Sequence, residues 1–461
     1  MRRRAFVAGL PLAGCAGVWR RAAPAVEGRP AAAVPAVVED TLTIAGSRTR
    51  VVRAARAGSA VVHVGVTIAC GAMEDLQLVL GARGEMTGER MRPGLTALAC
   101  AAVVDRGLRD ELGRFGVVPR FRGALDGATV TCAALAEDVQ AVVQALARRL
   151  RAPTLDAAGF AALVARMQAA AALAAADPKA VATRALDRWI YTDGGHEHPY
   201  AHRGAVPAEG DVGVTQAEVA AHVQRHVGPT NLLWVSTAEA DLRPTIAAAW
   251  DGWTAPSSKN FVRAPRPRPR AAIVLVDRTG AEQATIAAGR LGPIAAEPDA
   301  VHAARAMRIL RSTVHERLRG DRGLAYYTDG AYDGHAQAGR LRLVTQVDAA
   351  AAGEALGVVL WSLAHVQELA VAQAWMDEQD TDDALEQAYA HDRGEGRVSE
   401  IAGRWLVGLP LVDRETKARP VKKLMQVIDE LMKPTHWQIV CVGDRRRVLA
   451  QLERFGPVDV R

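Results

Sequence analysis

A short pattern occurs twice in this chain, and its spacing constrains the fold more than any other feature. Gly228-Pro229-Thr230-Asn231 stands before the last strand-like run of the first half, and Lys433-Pro434-Thr435-His436 stands before that of the second half. The copies are about 200 residues apart, far beyond the roughly 20–50-residue period of solenoid repeats. The sequence therefore predicts two duplicated halves, 39–256 and 271–461, joined by the Pro- and Arg-rich linker 257–270 and arranged as a clamp.

Within each half, Val-rich runs typical of strands alternate with runs of helical periodicity. Hydrophobic residues make up 49% of the 461 residues, which is enough apolar material for a core in each half. We therefore expect an α+β fold in which each half is a mainly antiparallel sheet packed with helices. In the first half, strands are predicted at 41–45, 50–54, 61–70, 117–122, 128–134 and 231–236, and helices at 93–106, 138–151, 156–176, 178–191 and 215–226. In the second half, strands are predicted at 272–277, 324–332, 339–348 and 437–442, and helices at 298–318, 353–370, 375–391 and 421–432.

The N-terminal residues have the pattern of an export segment. Arg3-Arg4-Ala5-Phe6-Val7 resembles a twin-arginine signal, and Leu12-Ala13-Gly14-Cys15 resembles a bacterial lipobox. The sequence predicts a signal peptide over 1–15, lipidation of Cys15, and a flexible tether over 16–38. The expected location is the periplasmic face of a bacterial envelope, with membrane contact through the lipid anchor alone. The alternative is an apolar leader with a chance cysteine.

Charge and cysteine usage narrow the classes of function. The formal net charge is +6, and the basic run 263–270 contains no aromatic residues, so we expect no nucleic-acid binding. Cys70, Cys100, Cys132 and Cys441 form no CxxC pair, which argues against a zinc ribbon or a redox motif. They are expected to be small core residues, and the sequence leaves any disulfide pairing open.

The stretch Leu318-Arg319-Gly320-Asp321-Arg322-Gly323-Leu324-Ala325-Tyr326 carries the most specific local pattern. An amphipathic helix ends near Gly320 and Gly323, and a strand begins directly afterwards. Such a turn can bring a fixed cation, Arg319, and a phenol, Tyr326, to one point. Together these groups can hold a peptide carbonyl and stabilise the oxyanion formed when it is attacked. The competing interpretation is a surface arginine and a half-buried structural tyrosine.

This stretch resembles the second-domain signature of the insulinase/pitrilysin family of zinc peptidases, the inverzincins. The segments at 274–293 and 198–238 also resemble that family, and the resemblance extends over roughly residues 40–455. It implies the two-half fold and a metal helix bearing His-x-x-Glu-His. Here the matching segment is Gly94-Leu95-Thr96-Ala97-Leu98-Ala99-Cys100-Ala101, in which Ala97 and Ala101 replace the two histidines and Cys100 replaces the catalytic glutamate. The later helix that supplies the third ligand contains no acid, so this chain is expected to bind no metal.

Two other histidine patterns have spacings that metal sites use. His222 and His226 lie four apart on a predicted helix, but no glutamate stands where a catalytic one is expected. His196-Glu197-His198 precedes Pro199-Tyr200 in a Gly-rich turn, and a loop that docks the preceding helix is the preferred interpretation. Cys100 as a nucleophile is disfavoured, because no histidine near it in the sequence lowers its pKa.

The resemblance then implies a function in which one half-site is kept and the other is lost. Some members of the family work as pairs, in which a zinc-less chain supplies the Arg/Tyr pair to its partner. We therefore expect a non-catalytic subunit, a pseudo-metallopeptidase with no independent activity, whose Arg319 and Tyr326 act on peptides in the site of a zinc-bearing insulinase-type partner. The alternatives are a non-enzymatic peptide- or protein-binding scaffold of the same fold, and an unrelated lipid-anchored solute binder.

Overall fold

The computed structural model describes residues 37–80, 86–153, 155–193, 196–254, 264–268, 270–411 and 420–461. The predicted signal peptide, Cys15 and nearly all of the predicted tether lie outside the described residues, as does most of the predicted linker.

The described residues of the first half form one principal sheet with helices packed on it. The strands are β1 Val38–Ile44, β2 Ser47–Arg53, β3 Val61–Ile68, β4 Leu76–Leu80, β5 Met86–Met91, β6 Arg120–Ala124, β7 Gly127–Leu135, β8 Thr192–Asp193, β9 His196–Glu197 and β10 Leu232–Ser236. The helices are α1 Leu95–Ala102, α2 Arg106–Gly113, α3 Val139–Arg151, α4 Ala157–Ala176, α5 Pro178–Ile190, α6 Gln216–His226 and α7 Arg243–Trp250.

The second half repeats this arrangement in its described residues. The strands are β11 Ile273–Asp277, β12 Gln283–Gly292, β13 Ala325–Asp333, β14 Gly339–Asp348, β15 Gln438–Gly443 and β16 Val458–Val460. The helices are α8 Ala300–His315, α9 Ala352–Val366, α10 Gln373–Asp392, α11 Glu395–Leu406, α12 Val421–Leu431 and α13 Arg445–Leu452.

The two six-stranded sheets have the same spatial order of equivalent strands. The first runs β6-β7-β3-β10-β2-β1, and the second runs β13-β14-β12-β15-β11-β16. Four of the five neighbouring pairs in the first sheet are antiparallel, as are three of the five in the second. The last edge strand differs, because β1 comes from the start of its half and β16 from the end. The predicted α+β fold with two mainly antiparallel halves is confirmed.

Each half also places one helix on the sheet of the other half. Helix α5 packs on the second sheet through Ala182, Leu186 and Ile190, which lie four residues apart along one helical face. Helix α11 packs on the first sheet through Val398 and Ile401. This reciprocal exchange buries apolar surface between the halves and ties them together.

Two glycines on equivalent strands make room for the exchanged helices. A Cβ at Gly65 on β3 would lie 2.4 Å from Cγ1 of Val398 on α11. A Cβ at Gly289 on β12 would lie 2.5 Å from the carbonyl oxygen of Leu341, and 3.0 Å from Leu186 on α5. The distances of 2.4 Å and 2.5 Å are shorter than packed atoms tolerate, and the distance of 3.0 Å to α5 is tight. A side chain larger than hydrogen would therefore disturb the packing at both positions.

Several element boundaries differ from those expected. The predicted helix 93–106 ends earlier than expected, at Ala102. A second helix, α2, begins at Arg106, because the carboxylate of Asp105 accepts a hydrogen bond from the backbone N–H of Leu108 at 2.8 Å and caps it. The sequence did not predict strand β12, the hairpins β4–β5 and β8–β9, strand β16, or helices α7, α11 and α13. Helix α11 follows Gly394 and contains Gly396, and two glycines so close together are typical of a loop.

Among the described residues, two helices are long and apolar enough to cross a membrane by length and composition. The span Ala349–Val366 is 56% buried, as core helices are. In α4 the figure is 6%, so its alanine-rich outer face is exposed. Of the four cysteines, Cys70 follows β3, whereas Cys132 and Cys441 lie in β7 and β15; all four are buried free thiols, as expected of small core residues.

Candidate functional site

Helix α1 is where the resemblance would put a metal. Ala97 is half-buried, whereas Cys100 and Ala101 are only 1% and 4% exposed and belong to the core of the first half. Helix α4, packed against α1, contributes no carboxylate. Two methyl groups and a buried thiol do not fit a zinc ion. Among the described residues, no cluster of three or more His, Cys, Asp or Glu side chains is placed to hold a metal.

The start of α1 is held by a buried carboxylate. Asp75 accepts backbone hydrogen bonds from Gly94 at 3.0 Å and from Thr96 at 2.7 Å. Burial raises the pKa of Asp75 to about 6, against the opposing effect of these hydrogen bonds. Gly94 has a φ of +85°, and a Cβ there would lie 2.9 Å from the backbone nitrogen of Val206. Helix α1 is therefore firmly positioned, and its role in this structure is packing.

His222 and His226 lie together on α6, as their spacing predicts. Both are 4% exposed, and their ring centroids are 4.4 Å apart. Nε2 of His222 is 3.0 Å from the hydroxyl of Thr96 on α1 and 3.9 Å from the sulfur of Cys70. Burial, aided by His226 and Arg225, lowers the pKa of His222 to about 3, so the ring is neutral near pH 7. These contacts make His222 a core residue that joins α6 to α1.

The His196-Glu197-His198 turn docks the preceding helix, since the backbone N–H of His198 donates to the carbonyl of Tyr191 at 3.0 Å, and the residue Tyr200 after it helps to join the two halves. Burial lowers the pKa of His198 to about 4, and its Nδ1 accepts a hydrogen bond from the backbone N–H of Tyr200 at 3.2 Å. The hydroxyl of Tyr200 donates to Asp126, which also contacts Nδ1 of His335, in the second half, at 3.1 Å. This network across the halves was missed in sequence, because its members are far apart along the chain.

Arg319 lies in an irregular helical turn directly after α8. Residues Glu316–Asp321 form a π-helical turn. Such turns are rare in proteins, and those that occur are often at functional sites. Leu318 is fully buried and anchors the turn, whereas Arg319 is exposed. Gly323, at a φ of +64°, then redirects the chain into β13.

Tyr326 lies at an irregular point of β13. Cross-strand pairing passes from Ala325–Val347 to Tyr327–Gln346, so Tyr326 is the extra residue of a β-bulge. The side chain of Tyr326 lies outside the part of the structure that is described. The motif therefore contains two backbone irregularities, the π-helical turn at Arg319 and the bulge at Tyr326. The buried residues beside them, Leu318 and Ala325, belong to the core of the second half, which is separate from the core that contains α1.

Two open cavities adjoin this motif. One, of about 580 Å³, is lined by Arg317, Arg322 and the exposed Trp361, whose ring centroid is 4.3 Å from the guanidinium of Arg317. The other, of about 380 Å³, lies between the halves and includes Tyr327 and Lys179. Neither cavity could be predicted from the sequence, because each combines residues from distant segments.

Comparison with solved structures identifies the fold. An inactive domain of a peptidase M16 from Pseudomonas fluorescens is 17% identical, with 88% of this chain and 98% of that chain covered and a TM-score of 0.73. A protease from Helicobacter pylori is 13% identical, with 88% and 100% covered and a TM-score of 0.72. A chain of complex III2 from Candida albicans is 14% identical, with 92% and 98% covered and a TM-score of 0.68.

The chain therefore has the two-half fold of M16-like peptidases, as the insulinase/pitrilysin resemblance predicted. Similar structures include an inactive peptidase domain, a protease and a respiratory-complex chain, so the fold is compatible with more than one activity. No protein-family model matches the sequence, and no curated protein sequence matches it either.

Proposed function

We propose that this chain is the zinc-less subunit of a two-chain insulinase-type metallopeptidase. One observation carries the proposal: the exposed turn bearing Arg319 is built with a π-helical turn and a bulge, while Ala97, Cys100 and Ala101 make α1 part of a core. The similarity to an inactive peptidase domain supports the same conclusion. Export and lipidation at Cys15 would place the assembly at the periplasmic face of the envelope.

In this proposal the chain acts on the substrate through two side chains. The zinc of the partner chain supplies Lewis-acid and water-activating chemistry when bound. Arg319 adds a fixed positive charge beside the scissile carbonyl of the peptide, and the hydroxyl of Tyr326 donates a hydrogen bond to the developing oxyanion. The two halves also form part of the wall of the peptide chamber. This chain by itself hydrolyses no peptide.

The first experiment is capture of the exported protein from its native host, followed by zinc analysis and a peptide-hydrolysis assay. We expect a zinc-bearing partner with His-x-x-Glu-His to co-purify, together with activity. Purification of the chain with no such partner would contradict the proposal.

The second experiment uses that mixed assembly. Arg319→Ala should lower peptide hydrolysis about 10²–10³-fold, the loss typical of removing one oxyanion donor, with zinc content and assembly unchanged. Tyr326→Phe should act in the same direction. Arg322→Ala is the matched control, since Arg322 lies in the same exposed segment and pairs with Glu354; its activity should stay near that of wild type. Unchanged hydrolysis in Arg319→Ala would refute the proposed role.

The second candidate is a non-enzymatic scaffold for peptides or proteins. The observation that favours it is the similarity to a chain of complex III2, which has the same fold. A scaffold predicts stable capture of partners that lack a zinc motif, and no effect of Arg319→Ala on any hydrolysis. The same pull-down therefore separates the two candidates.

A further inference from the structure

The cavity between the halves has an unusual charge composition. Its walls come from the region of α4 and α5 in the first half and from β13 and β14 in the second. With a volume of about 380 Å³, it falls within the usual range of small-ligand sites, about 300–1,000 Å³. Five cationic side chains line it, and we call it the inter-half cationic pocket: Lys179, Arg184, Arg203, Arg340 and Arg342.

Three of these cations are held by carboxylates. Asp187 on α5 is fully buried and pairs with Arg203 at 2.6 Å and with Arg340 from the second half. Nε of Arg340 also contacts Asp333 at 2.8 Å. Asp187 therefore joins the two halves, and the arginines around it are fixed in orientation.

The third arginine, Arg342, extends this network along β14. Its guanidinium contacts Asp329 at 2.8 Å. Its Nε is buried, lies 3.7 Å from Asp333, and makes no hydrogen bond within the described residues. A buried N–H of this kind costs free energy unless a ligand or water accepts a hydrogen bond from it.

The other two cations carry the positive excess of the pocket. The ammonium of Lys179 lies 3.8 Å from the ring centroid of Tyr327, across the boundary between the halves. A guanidinium nitrogen of Arg184 lies 3.5 Å from the carbonyl oxygen of Ala171. Among the described side chains, neither cation forms an ion pair with a carboxylate. Five cations thus accompany three carboxylates, and the two cations without a carboxylate partner lie on α5.

We propose that the inter-half cationic pocket binds a carboxylate of an extended peptide, with Lys179 and Arg184 as its charge partners. The carboxylate belongs either to an acidic side chain or to a free C-terminus, since the two present the same group. A guanidinium such as that of Arg184 favours a planar carboxylate, which can accept two hydrogen bonds from it. The adjoining Tyr327 follows Tyr326 directly, so an anchored peptide would run beside the segment proposed to act on the scissile bond. The choice of a peptide as ligand rests on the proposed function.

The test is direct binding to the purified full-length chain, measured by fluorescence anisotropy with labelled peptides. The probes are a peptide containing glutamate with a free C-terminus, its glutamine counterpart, its C-terminal amide, and the peptide carrying both changes. Neutralising the carboxylate that is bound should weaken binding about tenfold or more, the worth of one charged hydrogen bond. Loss with glutamine identifies an acidic side chain, and loss with the amide identifies the C-terminus.

A double variant tests the assigned residues. The variant Lys179→Gln/Arg184→Gln should bind the charged peptide about tenfold or more weakly than wild type does. It should also bind the charged and the neutral peptide with the same affinity. Arg188→Gln is the matched control, because Arg188 is exposed on the same helix outside the pocket; its affinity should stay within about twofold of wild type, given the weak effect of a distant surface charge.

Each result decides the proposal. It is overturned if the doubly neutral peptide binds as tightly as the charged one, if the double variant binds like wild type, or if Arg188→Gln loses as much affinity. Absence of binding to wild type at millimolar peptide also overturns it. Because no partner or zinc is needed, these outcomes are independent of the Arg319→Ala experiment.

Discussion

The two halves share one strand order and one way of exchanging a helix, yet they differ at equivalent places. In the first half, α1 carries Ala97, Cys100 and Ala101 and lies within the core. In the second half, α8 ends in an exposed π-helical turn bearing Arg319. A polar site can be lost by replacement with small apolar residues that pack, whereas an exposed turn is under no such packing demand.

The difference also explains why Ala97, Cys100 and Ala101 occur together on α1. Without a metal ion, a buried glutamate or histidine there would be an unpaired polar group, which costs free energy. Alanine and cysteine remove that cost and fill the space. His222 fits this core, because it is neutral and hydrogen-bonded to Thr96. Helix α1 is thus part of the packed core of the first half, whereas the turn that bears Arg319 in the second half is exposed.

The largest effect on stability is expected from placing the His-x-x-Glu-His motif on α1. Ala97→His/Cys100→Glu/Ala101→His should lower the free energy of unfolding by more than about 4 kcal/mol, because two of the new polar side chains enter a core without partners. Zinc should not restore this loss, since α4 still lacks the third ligand. Urea denaturation with and without zinc measures both effects.

The half-buried Ala97→His variant is the control for that experiment, and it should lose much less stability. The prediction is contradicted by a triple variant as stable as wild type, or by one that retains one zinc ion through dialysis. Either result would show that the surroundings of α1 can still accommodate a metal site.

The next effect concerns the glycines beneath the exchanged helices. Gly289→Ala should destabilise by about 3 kcal/mol, because the new Cβ meets the rigid carbonyl of Leu341. Gly65→Ala should cost about 1–3 kcal/mol, because the obstacle is the side chain of Val398. Thermal or urea unfolding of both variants measures the difference. Equal costs would mean that the two sheets tolerate their helices alike.

Val398→Ala sharpens this test by removing the obstacle. In Gly65→Ala/Val398→Ala, the loss should be smaller than the sum of the two single losses by at least about 1 kcal/mol. Gly403→Ala on the same helix meets nothing within 4 Å and should be neutral or slightly stabilising. Additive losses in the double variant would place the strain elsewhere.

The smallest effect is a pH dependence confined to the first half. The pKa of His222 is about 3 in the folded chain, against about 6.5 when unfolded, so the unfolded state binds more protons between these values. The contribution of neutral His222 to the free energy of unfolding is complete above about pH 6.5 and declines as the pH falls towards 3. Asp75, with its raised pKa, acts in the opposite sense between about pH 4 and 6.

His222→Gln should therefore lose less stability than wild type on acidification, by up to about 2 kcal/mol between pH 7 and pH 5. Urea denaturation at the two pH values measures this. The half-exposed His436→Gln, in the second half, is the control and should follow wild type. If both variants follow wild type, His222 does not titrate as its burial indicates.

Much of the fold could be predicted from local patterns. The echo at Pro229 and Pro434 predicted the duplication, and both prolines begin short 3₁₀ turns before β10 and β15. Hydrophobic period and helix signals predicted most strands and helices, because those signals act over a few residues. Helix α11 was missed because Gly394 and Gly396 oppose it, and packing of Val398 on the first sheet overrides that local preference.

For the candidate site, the sequence by itself determined which chemical groups are present: no metal motif on α1, and an arginine and a tyrosine on either side of a glycine turn. Only the tertiary structure decided what those groups contact. It buried Cys100, tied His222 to Thr96, made Tyr326 the bulge residue, and assembled the cations around Asp187 from both halves. The physical reason is that side-chain identity and helical period are local, whereas contacts between residues more than a hundred positions apart exist only once the sheets and exchanged helices have packed.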